Sequence, residues 1–369
     1  MFRSPCKIPA MKTFEQKSYV GLKPPSYNVK INHFRSTKVA CQLQRFDSTM
    51  TWPVNTHEAL LVPSKLAAPP VPSKPVEPLT DHHLQLSRRP RRNRKSPTQR
   101  AAFQETNISP ENFIYPLFIH QGEVDIPIST MPGRYILGWR HGLIEESPTG
   151  EEAFNDNGLV QRTVRLLKDK FPDLVIHTDV NFDEYSTSGH GGIVREDGVI
   201  LNDETIYQLR KQAVSQARAG ADVVCTSEML DGRVGAVRAA LDAGGFHHVS
   251  IMSYSVNYQI NPANLREALI EAREDEAEGA DILMVKPALP SLDIIRLLKD
   301  QTLLPIGGCQ VSGEYSMIKA AGLLKMIDEE KVMMESLMCI RRAGADLILT
   351  YFALQASTIL CGENRKFVF

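Results

Sequence analysis

Lys286 closes a short apolar run, Asp281-Ile282-Leu283-Met284-Val285, and is followed by Pro287-Ala288-Leu289-Pro290. An ammonium at the end of such a run is costly to bury, which favours the neutral amine. Neutral amines attack carbonyl carbons and form Schiff bases, the step that activates a keto substrate for carbon–carbon or carbon–nitrogen bond formation. A lysine after a strand also suits a phosphate or carboxylate partner, so this residue alone leaves both chemistries open. Other polar side chains follow similar runs: Asp179, Ser227 with Glu228, Ser253 with Tyr254, Ser312 and Tyr351. Hydroxyls such as Ser312 and Tyr351 suit hydrogen-bond donation to an anion.

Positioning these groups needs strands whose ends meet. Short β-branched or apolar runs recur at Phe113 to Ile119, Leu174 to Val180, Asp222 to Thr226, Val249 to Tyr254, Asp281 to Val285, Leu304 to Gly307 and Asp346 to Tyr351. Between them, helical periodicity predicts helices over Gln161 to Lys170, Asp203 to Ala219, Gly232 to Asp242, Pro262 to Glu278, Ser291 to Asp300 and Tyr315 to Ala343. This alternation predicts an α/β fold with a parallel sheet. Ala-Gly-Ala-Asp at 219–222 and 343–346, and Glu-Gly-Ala-Asp at 278–281, punctuate three helix exits. No GxGxxG follows any strand, which argues against a dinucleotide-binding sheet. The expected architecture is a TIM (β/α)8 barrel, whose functional groups collect at the C-terminal strand ends. Seven runs leave it one βα unit short.

Upstream of residue 113 the composition changes. Residues 1–46 hold nine Lys or Arg and one acid, Glu15, the acid-poor make-up of an organelle transit segment that is removed and carries no fold. Val39-Ala40-Cys41 reads as a chloroplast processing site. Residues 47–86 form a linker, proline-rich from 63 to 78 and expected to be extended. Residues 87–112 read as a basic N-terminal arm, with seven Lys or Arg in the fourteen positions from Ser87 to Arg100. Nothing later in the chain offers a matching basic face, so docking on an acidic surface of a neighbouring subunit is expected rather than nucleic-acid binding. The barrel domain spans 113–362, with a tail at 363–369. Six cysteines lack a CxxC pair and regular spacing, which argues against a zinc ribbon or a disulfide framework. No apolar run approaches the roughly 20 residues of a membrane span.

Met284-Val285-Lys286-Pro287-Ala288-Leu289-Pro290, Gln310 to Met317 and Met229 to Arg233 together resemble porphobilinogen synthase, or delta-aminolevulinic acid dehydratase, in its plant form. The resemblance extends from about Ser87 to Gly362, including Arg91 to Pro97, Gly138-Trp139-Arg140-His141-Gly142 and Leu349 to Ala353. It implies a plastid lyase that condenses two 5-aminolevulinate molecules to porphobilinogen, depends on Mg2+ and assembles as an octamer. Lys286 would form the imine. Ser312 and Tyr351 would hold the carboxylate of the first substrate, Gln259 is a further substrate-binding position, and Glu271 matches a magnesium ligand outside the active site. Asp179 and Asp183 are candidate oxygen ligands for the same hard ion.

The chain also departs from that family. Asn257 stands where a second lysine is expected, and an amide cannot form an imine. After Tyr258 the chain passes straight to Gln259-Ile260-Asn261-Pro262, skipping a mobile lid with the cations that hold the second substrate. Gly191 replaces an aspartate, Glu228 an aspartate and Cys309 a tyrosine, and His190 reads as a structural loop residue. A βα unit is absent between Glu146 and Ser147, which leaves two sheet edges that normally pair, so either a distorted closure or an unstable product is expected. The expectation is a lyase of reduced activity; the alternatives are a non-catalytic homologue that joins oligomers of intact subunits, and a different imine-forming barrel enzyme such as an aldolase.

Overall fold

A computed structural model describes residues 90–138, 150–186, 191–257 and 259–362, together with the backbone of 37–42. The expectations for the rest of the leader, the 47–86 linker, His190, the Glu146-Ser147 junction and the C-terminal tail lie outside the described residues.

All seven predicted strands form. They are β2 (Phe113–His120), β5 (Val175–Val180), β6 (Val223–Thr226), β7 (Ser250–Val256), β8 (Ile282–Val285), β9 (Ile306–Gln310) and β10 (Leu347–Thr350). Parallel pairing runs from β5 through β6, β7, β8, β9 and β10 to β2. β9 lies later than expected, beginning after Pro305 and continuing through Gly307-Gly308-Cys309. A hairpin of β3 (Ile126–Pro127) and β4 (Tyr135–Gly138) extends the C-terminal end of β2, where β4 pairs with Phe118 to His120.

Thr37–Gln42, which the composition assigns to a foldless leader, is instead a strand, β1. It runs antiparallel to β2, with Thr37 opposite Ile119 and Gln42 opposite Ile114, and antiparallel to β5, with Val39 opposite Thr178. The eight strands thereby close a circuit of pairings, and the slot of the absent βα unit is occupied. The physical reason is the ladder: without an occupant, the facing edges of β2 and β5 would present unpaired N–H and C=O groups.

The helices are α1 (Pro97–Ala102), α2 (Leu159–Lys170), α3 (Asn202–Ala219), α4 (Arg233–Ala243), α5 (Leu265–Ala277), α6 (Leu292–Gln301), α7 (Ser312–Leu323), α8 (Glu329–Ala343) and α9 (Ala353–Leu360). The single helix expected over 315–343 is two. Lys325 takes a left-handed φ of 55°, and Asp328 restarts the chain by accepting a hydrogen bond from the Lys331 amide.

Each of the three Gly-Ala-Asp exits does the same two jobs. Gly220, Gly279 and Gly344 adopt φ values of 110°, 104° and 128°, which a side chain would strain. Asp222, Asp281 and Asp346 then accept from the amides of Ile176, Ile251 and Ile306 at 2.7, 2.7 and 3.0 Å, tying the start of each strand to its neighbour. Inside the barrel, Ile114, Cys225, Met252, Tyr254, Met284, Cys309 and Leu349 pack together. A larger apolar layer fills the space between strands and helices, with Leu209, Val234, Leu283, Ile306 and Phe352 among its fully buried members.

Candidate active site

Lys286 leaves β8 half-buried. Its amide donates to the Val256 carbonyl at 2.9 Å, continuing the β7–β8 ladder one residue past the strand. The Lys286-Pro287 peptide is cis. The following turn is held by Glu314, a buried carboxylate on α7. It accepts from the amides of Leu289 at 2.7 Å and Val311 at 2.6 Å, joining the segments after β8 and β9. Burial raises the Glu314 carboxyl against those amide bonds, which pull it down.

These strand ends surround a cavity of about 250 Å³ lined by Lys286, Ser312, Tyr351, Asp179, Ser227 and Tyr254, among others. Lys286 Nζ lies 5.6 Å from the centre of the Tyr254 ring. Burial pushes the Tyr254 phenol well above its ordinary range, so it stays a neutral hydroxyl. The Cys225 thiol is pushed up by burial in the same way, which removes it as a thiolate nucleophile. Tyr351 is fixed by its ring, stacked on Phe118 at 5.9 Å and edge-on to Tyr315 at 5.8 Å. Of the candidate residues, Lys286, Ser312, Tyr351 and Asp179 thus meet in one cavity.

Gln259, Glu271 and Asp183 do not line it. Gln259 is exposed in the turn after β7. Asn257, at the position where a second lysine is expected, is buried and donates to the Ser227 carbonyl at 3.2 Å. Glu271 sits on α5, outside the barrel; burial raises its carboxyl, partly offset by the charge of Arg233. Asp183 is half-buried in the turn after β5, close to Tyr185, whose phenol is pushed well up by burial and further by the charges of Glu184, Glu152, Asp179 and Asp183. Among the described residues, no group of three or more His, Cys, Asp and Glu side chains converges to hold an ion. Asp179 and Asp183 would offer a magnesium ion two carboxylates, the ion keeping its remaining waters, but only Asp179 lines the cavity.

Two features behind the site escape sequence reasoning. Arg233, Ser253 and Asp275 form a buried triad: Arg233 donates to Asp275 at 2.9 Å and to Ser253 at 3.0 Å, and Ser253 donates to Asp275 at 2.6 Å. It fastens β7 to α4 and α5, and nothing in the acidic run around Asp275 singles that residue out. Glu314 had a legible signal, a glutamate three residues beyond the N-cap position of a helix.

The model of the delta-aminolevulinic acid dehydratase family matches residues 87–147, 141–259 and 256–359. The chain belongs to this family. The joins between matched segments fall at the two places where the sequence skips expected elements. Among relatives, "Probable delta-aminolevulinic acid dehydratase 2, chloroplastic" of Arabidopsis thaliana is 76% identical over 408 aligned positions, covering 100% of this chain and 98% of that protein. That alignment is longer than the 369 residues here, so the dehydratase relative carries segments this chain lacks. "Delta-aminolevulinic acid dehydratase, chloroplastic" of Glycine max is 57% identical, covering 96% of this chain and 98% of that one. A solved dehydratase, the Toxoplasma gondii enzyme in complex with the reaction product porphobilinogen, superposes with a TM-score of 0.73 at 38% identity, covering 78% of this chain and 97% of that one. The chain is accordingly a lyase of the dehydratase family with a TIM-barrel fold, and it belongs to the chloroplast.

Proposed function

We propose that Lys286 is the imine-forming residue of this porphobilinogen synthase. Its Nζ attacks the keto carbon of 5-aminolevulinate, water leaves, and the resulting Schiff base holds the first of the two molecules to be condensed. Ser312 and Tyr351 donate hydrogen bonds to that molecule's carboxylate. The observation that carries this reading is the convergence of Lys286, Ser312 and Tyr351, from three separate strand ends, on one cavity.

Turnover is the weaker half. Asn257 offers no amine, its amide is committed to Ser227, and Gln259 lies outside the cavity. The second 5-aminolevulinate therefore lacks both a covalent anchor and a lid, and condensation is slow relative to imine formation. Borohydride reduction in the presence of 5-aminolevulinate should label Lys286, as read by peptide mass spectrometry, and Lys286→Met should abolish the label. Label elsewhere sinks the imine assignment. Porphobilinogen formation at the rate of a relative that keeps both segments sinks the claim of reduced activity.

Magnesium is proposed at Glu271, outside the barrel, with Asp179 and Asp183 as the candidate ligands beside the cavity. Magnesium binds through one or two carboxylates and keeps its remaining waters. Glu271→Gln should weaken binding of Mn2+, used as a magnesium substitute and followed by electron paramagnetic resonance; unchanged binding counts against it. The basic arm supports assembly with other copies or with intact subunits: α1 buries none of its residues within its own chain.

A further inference from the structure

One wall of the Lys286 cavity depends on a strand from the N-terminal segment. Ile114, Pro116 and Phe118 of β2 line the cavity on one side of β1, and His177, Thr178 and Asp179 of β5 on the other. β2 and β5 form no ladder with each other; β1 joins them, each residue from Thr37 to Gln42 opposite a residue of β2 and each from Val39 to Gln42 opposite one of β5. β1 is antiparallel to both neighbours while β2 and β5 to β10 pair in parallel, so it occupies the slot of the absent βα unit without reproducing it.

The same six residues contain Val39-Ala40-Cys41, which reads in the sequence as a processing site. The two roles exclude each other. A processing peptidase must draw its substrate into its own cleft as an extended chain, and a strand paired on both sides is withheld from it unless the barrel opens locally. Cutting between Val39 and Cys41 would also divide the strand and free two edges that nothing else in the described chain covers.

We propose that residues 37–42 are retained in the mature protein as the barrel-closing strand, with the leader removed upstream of Thr37, and that this strand maintains the wall of the imine site. The clause about the site rests on the function proposed above; the clause about the strand does not. Hydrogen exchange on the full chain tests the strand directly. The amides of Val39, Ala40 and Cys41, with those of Leu117 and His177, should exchange at least about a hundredfold more slowly than in a free peptide of the same sequence. Exchange of Val39 to Cys41 at the free-peptide rate overturns the proposal.

The wall is tested in the full chain by Ala40→Pro, which removes a ladder donor from a central strand, with Ser18→Pro as the control. Ala40→Pro should speed exchange at His177, which lies opposite it on β5, and lower borohydride trapping of 5-aminolevulinate on Lys286 by about tenfold; Ser18→Pro should change neither. Trapping that survives Ala40→Pro undiminished overturns the role in the site. Should the proline variant not fold, the N-terminus of the protein recovered after chloroplast import decides: a start at or before Thr37 supports retention, and a folded protein starting at Cys41 or later refutes it. Protected amides with no trapping in the unaltered chain would sink the imine assignment and leave the strand standing, so the two failures are distinguishable.

Discussion

His177 sits on β5 with both ring nitrogens buried and without a hydrogen-bond partner among the described residues. Burial lowers its pKa from 6.5 to about 4, only partly opposed by the charge of Asp222. The folded protein therefore excludes a proton that the unfolded chain accepts. Between pH 6.5 and 4 the unfolded state binds more protons, so stability rises with pH through that window. The contribution is fully present above pH 6.5 and is lost as pH falls toward 4, amounting to about 3 kcal/mol. Urea unfolding followed from pH 7.5 to 4 should show this loss on top of the titration of carboxylates. His177→Phe keeps an aromatic ring and removes the titration, so the difference between the two profiles isolates it. Parallel profiles would mean that a proton on His177 is accommodated in the fold.

The Gly-Ala-Asp exits make the element scale testable, because one device is used three times in different surroundings. Asp222 and Asp346 also pair with Lys168 at 2.6 Å and Lys299 at 2.8 Å, whereas Asp281 is exposed and its bond to the Ile251 amide is its principal one. Ile251 is fully buried, so Asp281→Ala leaves a buried donor unsatisfied, at a cost of about 1–3 kcal/mol. Hydrogen exchange at Ile251 should accelerate correspondingly while that at Ile176 and Ile306 stays unchanged; acceleration at all three would mean that the strand starts do not respond separately. These exits were legible in the sequence because glycine and aspartate repeat at fixed spacing beside a strand. The seven parallel strands were legible for a related reason, since buried strands read as continuous apolar runs. The break between α7 and α8 was not: Leu324 to Ile327 keeps helical composition, and Asp328 as a cap is visible only once the chain turns there. β1 was hidden for another reason. Its place is set by the two edges it joins, at residues 114–119 and 175–178, and no local signal in a basic, acid-poor segment points to them. At the site, Lys286, Ser312 and Tyr351 were legible from motif and strand end together, and Glu314 from its place in the first turn of α7, while Asp275 acts through Arg233 and Ser253, which are distant in sequence.

At the scale of the whole molecule, two surfaces stay exposed among the described residues. Met317, Leu323, Leu324 and Met326 are each at least 66% exposed and cluster around the end of α7, a density of apolar side chains in water that marks a contact surface. The arm is the second. From Arg91 to Glu105 it is largely exposed and carries Arg91, Arg92, Arg94, Lys95 and Arg100, while the whole chain has a net charge of −1. The remainder is therefore acidic, a charge complementary to that of the arm. If arm charges drive association, assembly must weaken with salt, because the Debye length shrinks from about 10 Å at 0.1 M to about 3 Å at 1 M; if the apolar patch alone drives it, salt leaves it intact or strengthens it. Sedimentation of the full chain should give a mass well above the 41.2 kDa monomer at low salt, falling as salt rises. Arg91→Glu, Arg92→Glu and Arg94→Glu together should produce that dissociated state without added salt while leaving borohydride trapping at Lys286 unchanged, since none of the three residues lines the cavity. A species that ignores both salt and charge reversal would assign association to the apolar patch, and a monomer under all conditions would leave the arm without a role in assembly.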